Sequence, residues 1–160
     1  MNKQEIYKYL KVRNIWYKAT EHEAVYNMEE ASKIDMPYGD ADAKNLFLRD
    51  DKKKNYYLLT VKAKKEIDLK FFAKKYNVRR LSFASEEKLM EILGLIPGAV
   101  TPFGILNDKN CIVKVFLDKE FVNGLIGIHP NDNTATVWLK TNDLVNILKE
   151  HGNIINIVEI

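Results

Sequence analysis

Several residue types that carry catalysis or cross-linking are scarce in this sequence. Only one of the 160 residues, Cys111, is a cysteine, which excludes an internal disulfide and favours a reducing compartment. The three histidines, His22, His129 and His151, lie far apart, and none falls at the spacing of a zinc motif. We therefore predict that the protein uses no metal and no other cofactor.

Long apolar runs are also missing. No stretch approaches the roughly 18 uninterrupted apolar residues of a membrane-spanning helix, and the charged start "MNKQEIYKYLKVRN" lacks the apolar segment of a signal peptide. A cytoplasmic protein without membrane association is expected. Because 46% of the 160 residues are hydrophobic and no linker or repeat interrupts them, residues 1–160 are predicted to form one domain.

The usual nucleophile motifs are absent as well. Cys111 begins an alternating series with Val113 and Val115, so it is predicted to be an inert thiol on the apolar face of a strand. None of the three serines lies in a Gly-x-Ser-x-Gly elbow, and no phosphate-binding or dinucleotide-binding glycine loop occurs. Any hydrolysis would therefore proceed without a nucleophilic side chain of these kinds.

Positive charge is present but uneven. Residues 51–80 contain eleven lysines and arginines against three acids, a local charge of +8 in a chain whose net charge is +3. One interpretation is an ordinary solvated surface. The other is a surface for a phosphate backbone, where each neutralising lysine makes binding salt-dependent. Composition alone leaves both interpretations open.

Hydrophobic periodicity predicts an α+β fold, with a mixed, largely antiparallel sheet, three hairpins and surrounding helices. Ser85 is expected to cap one helix, Gly94 to end it, and Asn142 or Thr141 to cap the last helix, which Gly152 ends. The predicted helices are residues 2–13, 27–34 (capped by Asn27), 68–76, 85–94 and 143–152. The predicted strands are residues 15–20, 45–50, 55–62, 79–84, 103–108, 111–118, 125–130, 135–140 and 154–160.

Three features stand out from this framework: Lys44 before a strand, the uncharged loop "IPGAVTPFG" at residues 96–104, and His129 in "HPNDN". Taken singly, each has an ordinary explanation, as a solvated lysine, a connector or a strand-end residue. The loop is unusual because proline fixes φ, whereas glycine permits close backbone approach. We therefore expect this loop to have a defined conformation rather than a flexible one.

Taken together, "KNLFLRD", "GLIPGAVTPFGILND" and "GIHPNDNTATVWL" resemble the YbaK/ProX family of aminoacyl-tRNA deacylases, the prolyl-tRNA synthetase associated domain, in its free-standing ProX type. The resemblance covers nearly the whole chain, including "EHEAVYNMEEA". Its most specific part is the family's Gly-x-x-x-Pro loop, present here as Gly98 and Pro102. The resemblance implies a barrel-like mixed sheet surrounded by helices.

The resemblance also implies an activity, which is hydrolysis of the ester between a wrong amino acid and the 3′-terminal adenosine of a tRNA. In the ProX type the expected substrate is tRNA for proline mischarged with alanine. A synthetase pocket built for proline rejects a smaller residue by only about 1–3 kcal/mol, so a second sieve is needed. The expected partners are the acceptor end of mischarged tRNA and prolyl-tRNA synthetase; the oligomeric state stays open.

Site residues follow from the same resemblance. Lys44 is assigned to the terminal adenosine and its phosphate, and His129 to a water or the α-amino group. The remaining catalytic residues are those of the loop: Gly98, Ala99, Val100, Thr101 and Pro102. Candidate substrate-binding residues are His22, Met28, Ile34, Met36, Asn45 and Phe103, and candidate tRNA-binding residues are Lys52, Lys53 and Lys54.

Some alternatives remain at this stage. The hairpin turn at residues 51–55 departs from the family pattern because it lacks a glycine, and Asn55 is expected to take the left-handed conformation in its place. The amino acid removed could be cysteine or another small residue rather than alanine. Two other functions also remain possible. One is a non-catalytic module that binds tRNA or a synthetase, and the other is a small-molecule esterase.

Overall fold

The helices and strands follow one another much as the hydrophobic periodicity predicts. A computed structural model describes residues 1–24 and 37–160 of the protein. Its α-helices in these ranges are α1 (Lys3–Val12), α2 (Leu69–Lys75), α3 (Glu86–Leu93) and α4 (Thr141–His151). Its strands are β1 (Tyr17–Glu21), β2 (Ala43–Asp50), β3 (Tyr56–Lys62), β4 (Leu81–Phe83), β5 (Val113–Asp118), β6 (Leu125–Ile128), β7 (Ala135–Lys140) and β8 (Ile155–Val158). The predicted helix at residues 27–34 lies outside the described residues.

These strands form two sheets. The smaller sheet has the order β1-β7-β6 and is antiparallel, and the larger has the order β4-β2-β3-β5-β8. In the larger sheet β5 pairs in parallel with β3 and β8, whereas β2 pairs antiparallel with β3 and β4. A parallel bridge between Asp42 and Gly127 joins the sheets. The predicted α+β class with mixed, largely antiparallel pairing is confirmed, although the strands lie in two bridged sheets rather than one.

Each face of the larger sheet has its own apolar core. The inner core contains Phe47 and Leu58 and includes apolar residues of the smaller sheet, α1, α3 and α4. The outer core contains Leu48, Leu59 and, from α2, Phe72. Because successive strand residues point to opposite faces, the even-numbered positions of β2 belong to the outer face.

Two of the three predicted hairpins are present, β2–β3 and β6–β7. In the first, Lys53 rather than Asn55 takes the left-handed conformation, with φ of 56°, so the prediction for Asn55 is wrong. The turn is held by the buried carboxylate of Asp50, which accepts hydrogen bonds from the Lys54 N–H at 2.9 Å and from Asn55 Nδ2 at 2.7 Å. Lys53 therefore occupies the left-handed position of the turn, and the Asp50 carboxylate fixes the turn through its hydrogen bonds.

The predicted strand at residues 103–108, and with it the third hairpin, is wrong. A 3₁₀-helix spans Pro102–Asn107 instead, and the Thr101 side chain caps it by accepting from the Phe103 N–H at 3.4 Å. The reason is local, because proline has no N–H to donate to a sheet and its fixed φ suits the first turn of a helix. Alternation of apolar residues in "FGILND" was therefore a misleading signal.

Two smaller predictions also need correction. Cys111 does not begin a strand; it has φ of 52°, is half-buried, and its Sγ lies 3.4 Å from the His151 carbonyl oxygen. Neither Asn142 nor Thr141 caps α4, since both lie inside the helix and Lys140 occupies the N-cap position. The predicted roles of Ser85 and Gly94 at the ends of α3, and of Gly152 after α4, are confirmed.

Candidate active site

Lys44 lies at the start of β2, beside the bridge that joins the two sheets. Its backbone pairs with Val61 of β3. Because side chains alternate along a strand, Lys44 lies on the same outer face of the sheet as Leu48. The side chain is half-buried and makes no salt bridge to any residue in the ranges 1–24 and 37–160. Its charge is therefore not needed to hold these parts of the fold together.

The loop from Gly98 to Pro102 is fixed by its own residues. Gly98 has φ of 88°, a conformation that side chains with a Cβ rarely adopt. Ala99 is only 1% exposed, and its N–H donates to the Ile96 carbonyl at 3.1 Å. Among the described residues no acceptor is found for the N–H of the half-buried Val100. The Val100 N–H is therefore the candidate backbone donor of this loop for a ligand.

Thr101 connects this loop to the end of β6. It has no exposed surface, and its hydroxyl donates to the His129 carbonyl at 2.6 Å while the Thr101 carbonyl accepts from the Gly104 N–H at 3.0 Å. The same hydroxyl also accepts from the Phe103 N–H, so this buried group has two hydrogen-bond partners and cannot rotate freely. The loop and His129, which sequence reasoning named separately, thus form one structural unit.

The imidazole of His129 has a defined tautomer. Nδ1 lies 2.8 Å from the Ala135 carbonyl, which can only accept, so Nδ1 carries the proton and Nε2 presents a lone pair. Burial lowers the pKa of His129 below its usual value, more than the hydrogen bond to Ala135 raises it. The ring is therefore neutral at pH 7 and able to accept a proton.

His22 follows β1 and lies next to His129, with ring centroids 6.2 Å apart in an edge-on arrangement. Its Nδ1 donates to the Glu23 carbonyl at 2.8 Å, and its Nε2 is 3.0 Å from the Thr136 hydroxyl. Both ring nitrogens are thus occupied. His22 therefore packs beside His129, whose Nε2 has no hydrogen-bond partner among residues 1–24 and 37–160.

Asp42 is a residue of this region that sequence reasoning missed. Its Oδ1 accepts from the indole Nε1 of Trp138 at 3.2 Å, and its backbone bridges to Gly127. A Cβ on Gly127 would lie 2.8 Å from that oxygen and 2.5 Å from the indole nitrogen, so only glycine fits there. Burial raises the pKa of Asp42 to about 6. The one available signal was an acid two residues before Lys44.

Other predicted residues lie away from this cluster. Phe103 has no exposed surface and packs in the inner core, so it supports the loop from below instead of lining its surface. Asn45 lies on the inner face of β2, and its Oδ1 accepts from the Thr60 hydroxyl at 2.7 Å. Met28, Ile34 and Met36, the predicted pocket wall, lie outside the described residues.

The lysine turn, residues Lys52–Lys54, is exposed at the opposite end of β2 from Lys44. The six residues from Lys44 to Asp50 span about 20 Å at the usual rise of a strand. Near the turn, Arg79 makes two contacts with Asp51, at 2.6 and 3.0 Å. The lysine turn therefore lies about 20 Å from Lys44 and would contact a different part of a large ligand.

Two further findings limit the chemistry. No group of three or more histidine, cysteine, aspartate or glutamate side chains in the described part of the chain is arranged to hold a metal ion. None of the described helices is long and apolar enough to cross a membrane. In the described part of the chain, the fold and site define an α+β domain that offers a neutral imidazole, a strand lysine and a loop backbone donor.

Comparisons with known proteins agree with this class. The chain is 43% identical over 159 residues to the prolyl-tRNA editing protein ProX of Acetoanaerobium sticklandii, covering 99% of this chain and 97% of that protein. It is 33% identical to the prolyl-tRNA synthetase associated domain-containing protein 1 of Xenopus laevis, covering 94% and 92%. A solved structure described as a candidate trans-editing enzyme for prolyl-tRNA synthetase has the same fold, with a TM-score of 0.69, 19% identity and coverage of 99% and 96%.

The family model for the aminoacyl-tRNA editing domain matches residues 22–147. The chain belongs to this family. The matched range includes Lys44, the loop and His129, so the resemblance inferred from those motifs is confirmed, together with the predicted class of aminoacyl-tRNA deacylase.

Proposed function

We propose that this protein hydrolyses the ester that links alanine to the 3′-terminal adenosine of tRNA for proline, acting in trans on mischarged tRNA. The observation that carries the proposal is the hydrogen bond from Thr101 to the His129 carbonyl, which fixes the loop beside an imidazole whose Nε2 carries a lone pair. The family and its ProX member supply the substrate class.

In the proposed reaction a water attacks the carbonyl carbon of the ester. His129 Nε2 accepts a proton from that water and returns it to the 3′ oxygen as the carbon–oxygen bond breaks, which yields free alanine and an uncharged tRNA. The Val100 N–H, which has no acceptor among the described residues, would donate to the negative charge that develops on the carbonyl oxygen. An aminoacyl ester is already activated, so positioning supplies much of the rate.

Lys44 has a separate role in this proposal. Its ammonium group, without a salt bridge in the described residues, binds the phosphate of the terminal adenosine and holds the ester against the loop. It also contributes positive charge near the transition state. A module that only binds tRNA would have no need for this combination of a lysine, a loop backbone donor and a neutral imidazole.

The expected specificity is alanine over proline. With wild-type protein and tRNA for proline charged separately with alanine, cysteine, serine and proline, we expect release of alanine to be fastest and proline to be spared. We expect the space beside the uncharged loop to admit a methyl group and to be overfilled by a pyrrolidine ring. Release of labelled amino acid measures each rate. Faster release of cysteine would identify a different small residue, and no release from any charged tRNA would favour the binding module.

The lysine turn is proposed to contact the acceptor end beyond the terminal nucleotides. Changing Lys52, Lys53 and Lys54 together to glutamine is expected to raise KM for charged tRNA at least about fivefold with little change in kcat. The slope of log KM against log salt should fall by up to about 2, because each lost phosphate contact removes roughly one released counterion.

A matched control removes the same charge elsewhere. The lysines chosen are exposed on α1 and α4: Lys8, Lys11 and Lys149. These two helices are neighbours, since Arg13 at the end of α1 pairs with Glu150 of α4. The triple glutamine variant of these lysines should keep the wild-type salt slope. Equal slopes in all three proteins would show that the lysine turn is a solvated surface without a role in tRNA binding.

A further inference from the structure

Asp42 has fewer polar partners than the buried carboxylates of the described residues. Asp118 pairs with Lys65 at 2.6 Å, Asp50 accepts three hydrogen bonds in its turn, and Asp108 accepts two, from the Val113 N–H and Asn153 Nδ2. Asp42 accepts one, from Trp138, and makes no salt bridge to any described residue. A half-buried anion without a cation is costly, so this position calls for a positively charged partner.

The carboxylate is nevertheless kept ionised at neutral pH. Burial raises the pKa of Asp42 to about 6, while the hydrogen bond from Trp138 and the nearby His22 imidazole oppose the rise. At pH 7 the group therefore carries a negative charge. The absence of a side chain at Gly127 keeps the space that this carboxylate occupies open.

The position of Asp42 brings it close to the proposed reaction centre. It bridges to Gly127, and His129 follows Gly127 by two residues, about 7 Å further along the chain. His22, which acts on the carboxylate electrostatically, lies next to His129, with ring centroids 6.2 Å apart. Tyr38 lies edge-on to Trp138, with ring centroids 5.8 Å apart, beside the carboxylate. A carboxylate next to aromatic rings is a typical environment for an ammonium group.

We propose that Asp42 binds the α-ammonium group of the aminoacyl ester and thereby selects substrates whose amino group is free. This inference rests on the proposed deacylase function. Every aminoacyl ester carries that ammonium one carbon away from the reacting carbonyl, so fixing it also fixes the carbonyl against the loop. An N-blocked ester, as on a peptidyl-tRNA or formylated tRNA, lacks the charge and would leave Asp42 unpaired.

The test compares alanyl-tRNA with N-acetyl-alanyl-tRNA, for the wild-type protein and for Asp42→Asn. Wild-type kcat/KM is expected to be about 10- to 100-fold higher for the free amine, the range of a hydrogen bond between charged groups. Asp42→Asn should lower kcat/KM for alanyl-tRNA by a similar factor and leave the acetylated substrate within about twofold of the wild type. The ratio between the two substrates should therefore collapse towards one.

Asp40→Asn is the matched control, because Asp40 is an exposed carboxylate two residues away. It should retain the full discrimination. A wild-type protein that hydrolyses both substrates at equal rates would overturn the inference without touching the deacylase function, and needs no variant to observe. Equal losses on both substrates in Asp42→Asn would overturn it in favour of a general-base or structural role. Absence of hydrolysis of either substrate would remove the proposed function and the inference with it.

Discussion

Replacing Lys44 by alanine is expected to lower kcat/KM for alanyl-tRNA at least about tenfold, a loss of roughly 1.4 kcal/mol of transition-state stabilisation. The physical reason is the loss of a cation at the start of β2, beside the bridge between the sheets. Since Lys44 makes no salt bridge with the described residues, the melting temperature should hardly change. Single-turnover deacylation and thermal unfolding measure the two effects.

Lys114→Ala is the appropriate control for this prediction. Lys114 is a half-buried strand lysine on the outer face of the same sheet, near Tyr57 and away from the bridge. It should keep wild-type activity. Lys44→Arg should recover part of the lost rate if charge is what matters, although the guanidinium has a different shape. An unchanged rate in Lys44→Ala would mean that this residue is an ordinary solvated lysine.

Local signals in the sequence predicted the parts of the fold that depend on neighbours in the chain. Ser85 and Gly94 delimit α3 as expected, because capping and the left-handed conformation are properties of a few consecutive residues. The β2–β3 and β6–β7 hairpins were predictable for a similar reason, since short turns connect alternating segments.

Pairings between distant segments could not be read in the same way. Parallel pairing of β5 with β3 and β8 depends on how separate segments pack, and periodicity does not specify strand partners. Residues 103–108 failed because Pro102 outweighed the apolar alternation that follows it. The prediction that Cys111 begins a strand was wrong because no sequence signal indicated its left-handed conformation.

The residues of the candidate site also differ in whether local sequence signals could predict them. Lys44, the loop and His129 were predicted because they form recognisable motifs, but their connection through the Thr101 hydroxyl was not. Asp42 was missed because an acid before a strand is common, and its unusual surroundings come from Trp138 and Gly127, about 90 residues further along the chain. The chemistry of this carboxylate is a tertiary property.

Replacing Gly98 by valine is expected to abolish deacylation, with a rate at least about 100-fold below the wild type. Gly98 has φ of 88°, and a β-branched residue there would force the loop to a different path. The Val100 N–H would then leave the position proposed for it beside the reacting carbonyl, and removing such a donor typically costs about 10²–10³ in kcat. Because the change affects a loop, the free energy of unfolding should fall by only about 1–3 kcal/mol, and the protein should still fold.

Gly94→Val separates loss of the site from backbone strain. Gly94 also has positive φ, 66°, but it ends α3, and a Cβ there would meet the side chain of Asn107 at 3.1 Å. Both variants should therefore lose stability, whereas only Gly98→Val should lose activity. Urea unfolding paired with single-turnover deacylation at 25 °C reads out the two quantities. A folded Gly98→Val protein with near wild-type turnover would show that the backbone donor of this loop does not hold the reacting carbonyl, and the loop would be a connector between α3 and the helix at Pro102.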